Sequence, residues 1–261
     1  MEVRLNKYLS DAGVCSRRQA DVLIEQGLIL VDNEKPVVGQ KVNENNVVTY
    51  KGKIIKQNQK IILLALNKPE GIECTTDKTN PDNIVDFVNY EERVYPVGRL
   101  DKNSCGLILM TNNGELSDKL MRARNYHEKE YEVTVNKEIT KDFINKLSNG
   151  IHLVDKEHNI DVVTRSCSVK KTGKKTFRII LTQGINRQIR RMCKSQGYNV
   201  VKLKRIRIVN INLDKLPMGE YRHVSDPCHG GGSAVPGRIP EKEDTIPGNI
   251  LHSLAGGGRN C

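Results

Sequence analysis

The sequence predicts an α+β fold, with helices set around a mixed, mainly antiparallel sheet, and three observations predict it. Residues 61–66 (IILLAL) and 106–112 (GLILMTN) are short apolar runs of strand length. Residues 129–135 (KEYEVTV) alternate strictly with period two, the mark of a strand with one covered face. Helical stretches such as TKDFINKLSNG fall between strands without the regular strand–helix alternation of a parallel sheet.

Composition narrows the function classes. The chain has 261 residues, room for one large or two smaller domains. Hydrophobic residues make up 37% and charged residues 28%, enough for a core beneath a highly charged surface. The formal net charge is +11 and the pI about 9.3, which points to a polyanionic partner, nucleic acid first. No run of roughly 18 apolar residues exists to span a membrane, and MEVRLNKYLSDAGVCSRR lacks the apolar core of a signal peptide. Seven cysteines are scattered without a Cys-x-x-Cys pair. An odd, scattered set argues against a disulfide framework and against zinc, so the chain is expected to be cytoplasmic, with reduced thiols and no metal.

The elements follow in order. Leu5 and Leu9 share a helical face that Gly13 ends. Ser16-Arg17-Arg18-Gln19 is a capping box opening a second helix, with Ala20, Leu23 and Ile24 as its apolar stripe and Gly27 as its stop. Arg17 and Arg18 thus sit in a first turn, where the helix dipole prefers acids; phosphate docking would explain them, and so would simple solvation. Short strands follow, and residues 51–60 (KGKIIKQNQK) read as a linker. The second domain is expected over 61–224. It holds the strands above, a helix in GELSDKLMRA, strands in SCSVKK and KTFRIILT, a helix from Asn186, and one long strand, VVKLKRIRIVNINL. Residues 225–261 are rich in Gly and Pro, and read as a disordered or foreign tail.

Three places carry candidate chemistry. After Gly184, Asn186 is a reasonable N-cap, and Arg187, Arg190, Arg191 and Lys194 share one helical face. Ile189, Met192, Cys193 and Gln196 take the other. Four like charges repel by about a few tenths of a kcal/mol per pair, and no Glu relieves them, which favours an anionic partner over a solvated face. Lys202, Lys204, Arg205 and Arg207 follow on the next strand. In KEYEVTV, Lys129, Tyr131, Val133 and Val135 face the core or a cleft; from this pattern alone Tyr131 is as well a core tyrosine with a satisfied hydroxyl. Asp101, in GRLDKNSCGL, has no second carboxylate or histidine nearby, against paired-carboxylate and Ser-His-Asp hydrolysis. Locally it reads as a turn aspartate.

Two resemblances change that picture. VRLNKYLSDAGVCSRRQADVLIEQGLILVDNEKP resembles the S4 RNA-binding domain, with Asp32-Asn33-Glu34 where Asn-Gly is usual. It implies a small α/β module, residues 1–60, gripping structured RNA through Arg17, Arg18 and nearby lysines. LNKPEG, GRLDKNSCGLILMTNNGEL, KEYEV and QGINRQIRRMC, in that order, resemble the motifs of the RsuA/RluB/RluF family of pseudouridine synthases, and the likeness runs from residue 1 to about 224. Ser104 stands where Thr is common, keeping the hydroxyl, and Ile185 stands where many members have Arg or Lys. The last motif is most similar to the RluF-type branch, acting on 23S ribosomal RNA.

The resemblance implies that Asp101 is the nucleophile, that Tyr131 stacks on the target base, and that Arg190 is the salt-bridge partner of Asp101, with Arg187 as runner-up. Arg99, Lys129, Asn186, Arg187, Arg191 and Lys194 would join Arg17 and Arg18 in holding RNA. Uridine and pseudouridine are isomers, so no cofactor is implied. The chain is expected to act as a monomer on ribosomal RNA, 23S first. The alternatives are the same reaction on 16S ribosomal RNA or transfer RNA, and a non-catalytic S4-type RNA-binding ribosome-assembly factor.

Overall fold

Leu5 and Leu9 are fully buried on one face of the first helix, and their burial starts the core of the N-terminal unit. The computed structural model describes residues 2–56, 60–122 and 126–224. The expected tail, 225–261, and residues 57–59 of the expected linker lie outside the described residues. The chain divides into two units. One comprises Met1–Ile62 with the short segments Glu91–Val94 and Asn112–Gly114, and the other holds the rest.

The N-terminal unit contains β1 (Val3–Arg4), α1 (Leu5–Asp11), α2 (Arg17–Glu25), β2 (Ile29–Val31), β3 (Lys41–Val42), β4 (Val48–Tyr50) and β5 (Lys53–Ile54). Ser16 caps α2, its hydroxyl accepting from the Gln19 N–H at 3.2 Å, as the capping box predicts. Ala20 and Ile24 pack onto Leu5, Leu9, Ile29, Val42 and Val48, while Arg17 and Arg18 stay exposed. The segment expected to be a linker begins instead as part of a sheet. β5 pairs antiparallel with β4 (Thr49↔Ile54, Tyr50↔Lys53). The turn between them places Lys51 and Gly52 at φ 48° and 76°, the doubly left-handed geometry of a tight hairpin, for which a glycine is well suited.

The second unit follows with β6 (Leu63–Lys68), α3 (Ile84–Val88), β7 (Tyr95–Val97), β8 (Cys105–Thr111), α4 (Gly114–Met121), β9 (Lys129–Val135) and α5 (Lys141–Asn149). Then come β10 (His152–Asp155), β11 (Ile160–Val163), β12 (Ser168–Lys171), β13 (Thr176–Leu181), α6 (Gln188–Ser195), β14 (Val200–Ile208), β15 (Ile211–Asn212) and β16 (Tyr221–His223). Among the described residues its mixed sheet has nine strands, ordered β12-β13-β9-β14-β8-β6-β16, with β15 beside β14 and β7 beside β8. The α+β architecture matches the sequence expectation. Apolar clusters of the described residues flank it. Val133, Phe177 and Leu203 meet Phe143 and Leu147 of α5 and Ile189 and Met192 of α6. Ala65, Leu107, Leu109 and Ile208 meet Leu116 and Leu120 of α4. Each fully buried leucine contributes about 1.5–3 kcal/mol by transfer, so these faces hold the sheet rigid.

Two expectations are corrected. The residues VVKLKRIRIVNINL do not form one strand. Val209 takes φ 54° and reverses the chain, so Ile208 pairs with Ile211 and Arg207 with Asn212. Asn186 is not the N-cap of the last helix. That position is Arg187, in the left-handed region at φ 52° and without a side-chain cap bond. Gln188 tightens the entry, its Oε1 accepting from the Ile185 N–H at 3.2 Å.

One seam positions the site. β14 runs parallel to β8, pairing Lys204 with Cys105 and Arg205 with Gly106, whereas the other named strand pairs are antiparallel. Gly106 sits at φ 101°, and a Cβ there would lie 2.2 Å from the Arg205 carbonyl oxygen and 2.8 Å from its nitrogen. No side chain fits between these backbones. Gly106→Ala is therefore expected to lower stability by about 3 kcal/mol through overpacking and strain, seen as a fall in the urea midpoint.

Candidate active site

The loop between β7 and β8 holds Asp101 at the edge of a cleft of about 770 Å³. The Asp101 carbonyl accepts from the Ser104 N–H at 3.0 Å, closing the turn that the local sequence suggests. Neighbouring loops brace it. Gly71 donates its N–H to the Lys102 carbonyl at 2.9 Å, and Lys102 bonds Asp82 at 2.8 Å. Lys68, fully buried, donates to the carbonyls of Pro69 and Ile72, both at 2.7 Å. Burial lowers its pKa first, against the pull of nearby anionic groups. The LNKPEG motif is thus a buttress for the loop opposite.

The Asp101 carboxylate faces two guanidiniums. Its Oδ2 lies 3.7 Å from Arg190 Nε and 3.9 Å from Arg187. Both are ion-pair distances, longer than a hydrogen bond, so charge is balanced while the carboxylate oxygens stay uncommitted among the described residues. Arg190 is the fixed partner. Its side chain is 15% exposed, and it donates to the Asn103 carbonyl at 2.6 Å, Ser104 Oγ at 3.2 Å and the Val200 carbonyl at 3.3 Å. Its buried Nε has no hydrogen-bond partner and is the atom nearest Asp101. Burial first, and Arg187 second, push the Arg190 pKa down, but an arginine stays protonated. Arg187 is 47% exposed, and its left-handed backbone sits at the helix entry.

Tyr131 lines the same cleft, together with Arg99, Lys129, Asn186 and Arg187. Arg191 turns away and binds Asp155, holding that carboxyl down at about 2, chiefly through their hydrogen bond. It also donates to the Asn186 carbonyl at 2.9 Å. Lys194 is exposed and does not line the cleft. The four-cation face predicted for this helix is therefore divided. Two arginines meet Asp101, one meets Asp155, and Lys194 faces solvent. Arg17 and Arg18 belong to the other unit.

Sequence reasoning missed Arg205 as a cleft residue. It is 3% exposed, donates Nε to the Leu107 carbonyl at 2.6 Å, and its Cζ lies 6.0 Å from the Tyr131 ring centre. The signal was present, since alternation along KLKRIRI puts Arg205 on the covered face with Leu203. Asp155, Glu157 and His158 converge as the one group among the described residues that could approach a cation. Arg191 already neutralises Asp155 there. The five described cysteines are free thiols, and no helix among the described residues is long and apolar enough to cross a membrane.

Fold and cleft together define a candidate active site carried by the larger unit, with a small second unit at the N-terminus. Residues 62–195 match the RNA pseudouridylate synthase family and residues 3–48 match the S4 domain. The chain belongs to the RNA pseudouridylate synthase family and is a pseudouridine synthase. It is 50% identical over 226 residues to the dual-specificity RNA pseudouridine synthase RluF of Escherichia coli (strain K12), covering 86% of this chain and 76% of that one. It is 33% identical over 225 residues to the ribosomal large subunit pseudouridine synthase B of Bacillus subtilis (strain 168), covering 85% and 92%. A crystal structure of a pseudouridylate synthase superposes with a TM-score of 0.62 at 25% identity, covering 85% of this chain and 96% of the other.

Lys129 gives a stability prediction. Burial first, and Arg205 second, lower its pKa from 10.5 to about 8. Below pH 8 folded and unfolded chains both carry the proton, and the cost of burying the charge is fully present. From about 8 to 10.5 the unfolded chain binds the proton that the folded chain has released, so this cost fades as pH rises. Lys129→Met should therefore raise the urea midpoint at pH 7 and lose much of that advantage by pH 10.5.

Proposed function

We propose that the chain converts a uridine of 23S ribosomal RNA to pseudouridine, with Asp101 as nucleophile, Tyr131 as the surface on which the extruded base stacks, and Arg190 as the group that aims and neutralises Asp101. The observation that supports it most is the Asp101 carboxylate held 3.7 Å from Arg190 Nε in a cleft that Tyr131 also lines. Extruding a base costs about a few kcal/mol, and aromatic stacking returns about 1–3 kcal/mol of it. Arg190 sets a positive charge beside the carboxylate in a half-dry site without capping its oxygens. Arg99, Asn186 and Arg187 line the same cleft and suit the RNA around the extruded nucleotide. Relatives named for the large ribosomal subunit support 23S RNA, and the dual-specificity name of RluF supports a second substrate, for which transfer RNA is our reading.

The S4 unit grips structured RNA through exposed Arg17 and Arg18, and the two units act as linked binders that raise each other's effective concentration. The enzyme works as a monomer in the cytoplasm on this reading.

Asp101→Asn should abolish pseudouridine formation on ribosomal RNA while RNA affinity stays within a few-fold. Product is read by chemical mapping, and a variant that still forms it rules Asp101 out as nucleophile. Replacing Arg17 and Arg18 with Ala should weaken RNA binding and flatten its log-log salt dependence by about one to two units. The rate at saturating RNA should not change.

A further inference from the structure

Lys129, Tyr131 and Arg205 form a triangle on one face of the sheet. Lys129 and Tyr131 are two residues apart on β9, and Tyr131 pairs directly with Arg205 on β14, which puts all three side chains on the same side. All three line the cleft. Their charges are unbalanced. Arg205 is 3% exposed, and its buried Nη2 has no hydrogen-bond partner. Lys129 is paired in the sheet through its backbone, but its ammonium makes no ion pair or hydrogen bond with any described residue.

The acids nearby are engaged elsewhere. Glu128 and Glu130 bind Arg207 at 2.9 Å each, Glu132 faces Arg178 at 3.6 Å, and Asp101 faces Arg187 and Arg190. Two adjacent cations without a counter-charge are costly in a half-dry cleft. The cost is intelligible when the missing negative charge arrives with the substrate.

We infer that Lys129 and Arg205 are catalytic residues that stabilise the negative charge built up on the detached uracil. The inference rests on the reading of Asp101 given above. When the N1–C1′ bond opens, its electron pair stays with the base, making a uracil anion whose charge spreads over O2 and O4. The Asp101 carboxylate bonds C1′ in place of N1, forming an ester. After the base turns, its C5 bonds C1′ and displaces the Asp101 carboxylate, the C5 proton leaves, and N1 takes up a proton, so atoms and electrons balance without any co-reactant. A base stacked on Tyr131 has Arg205 6.0 Å from that ring's centre, and Lys129 two residues along the same face of β9. The other candidate anion is an RNA phosphate. It is the poorer fit, because the free Nη2 of Arg205 is buried, whereas Arg187 and Arg99 offer exposed guanidiniums for a phosphodiester.

Single-turnover rates and affinities on one defined RNA test this. Lys129→Gln should lower the rate of pseudouridine formation by about 100-fold, the scale of losing one charge-stabilising donor, with affinity within three-fold. Lys129→Arg should recover most of the rate. Weaker binding with a flatter salt dependence and an unchanged rate would instead mean a phosphate grip and overturn the inference. So would a Gln variant with normal rate and binding. Arg205→Lys gives a second reading of the rate if it folds, and the Lys129 pair decides the matter if it does not. Asp101→Asn in parallel separates the two claims. An active Asp101→Asn enzyme sinks the nucleophile, whereas an inactive one beside a normal Lys129→Gln enzyme sinks only the charge stabilisation.

Discussion

The attraction between Asp101 and the guanidinium of Arg190 is the constraint on which the cleft depends. At 3.7 Å and an effective dielectric near 20 the gross Coulomb term is roughly 4 kcal/mol, comparable to the cost of drying a carboxylate. Arg187 adds a second, more exposed attraction at 3.9 Å. The pair also joins distant parts of the chain. Arg190 stands on α6 and bonds Asn103 and Ser104 beside the nucleophile loop and Val200 at the start of β14. A single side chain thus ties helix, loop and central strand into one rigid frame. The uncommitted carboxylate oxygens follow from that division of labour, since the short bonds of Arg190 go to the loop and not to Asp101.

The sheet supplies the other half of the geometry. Asp101 precedes β8, Tyr131 lies on β9, and β14 runs between those strands. The parallel β8–β14 seam brings the loop before β8 to the end of the sheet where Arg205 sits, and Gly106 lets the two backbones meet. A glycine five residues past the aspartate, within the same motif, therefore serves the spacing of the cleft. Lys68 acts from the next strand, β6, with its ammonium turned back onto the carbonyls of its own loop. Three of the four motifs thus line one cavity, and the fourth, LNKPEG, braces the loop that carries Asp101.

Much of this was legible in the sequence, for definable reasons. Alternation in KEYEVTV placed Tyr131 on the covered side, and the apolar runs marked β6 and β8. Asp101 was not legible from its own neighbourhood, which reads as a turn, and it is a turn. Only the resemblance of four separated stretches lifted it out. The helix after Gly184 was half legible. Its spacing put four cations on one face, but the acids that meet them, Asp101 and Asp155, come from loops far away in sequence. Its start was misplaced because Arg187 takes the cap position in the left-handed region, while the Asn186 Oδ1 accepts from Arg191 instead of capping the helix. Arg205 was hidden among four basic residues, where charge drew more notice than the period-two pattern that buries it with Leu203.

The distribution of positive charge explains why grip and chemistry need not interfere. Of the 42 lysines and arginines, several are neutralised within the fold, as Arg207, Arg178 and Arg191 are by glutamates and an aspartate. Exposed cations such as Arg17 and Arg18 act through solvent, where salt screens them within about 8–10 Å, and so they serve affinity. Arg190 and Arg205 are shielded from water, so their field persists as salt rises and acts only on what enters the cleft. Buried arginines stay charged at any working pH, whereas the neighbouring lysine is held near its titration point. A cleft built mainly on arginine keeps its field constant while the surface cations bind and release RNA.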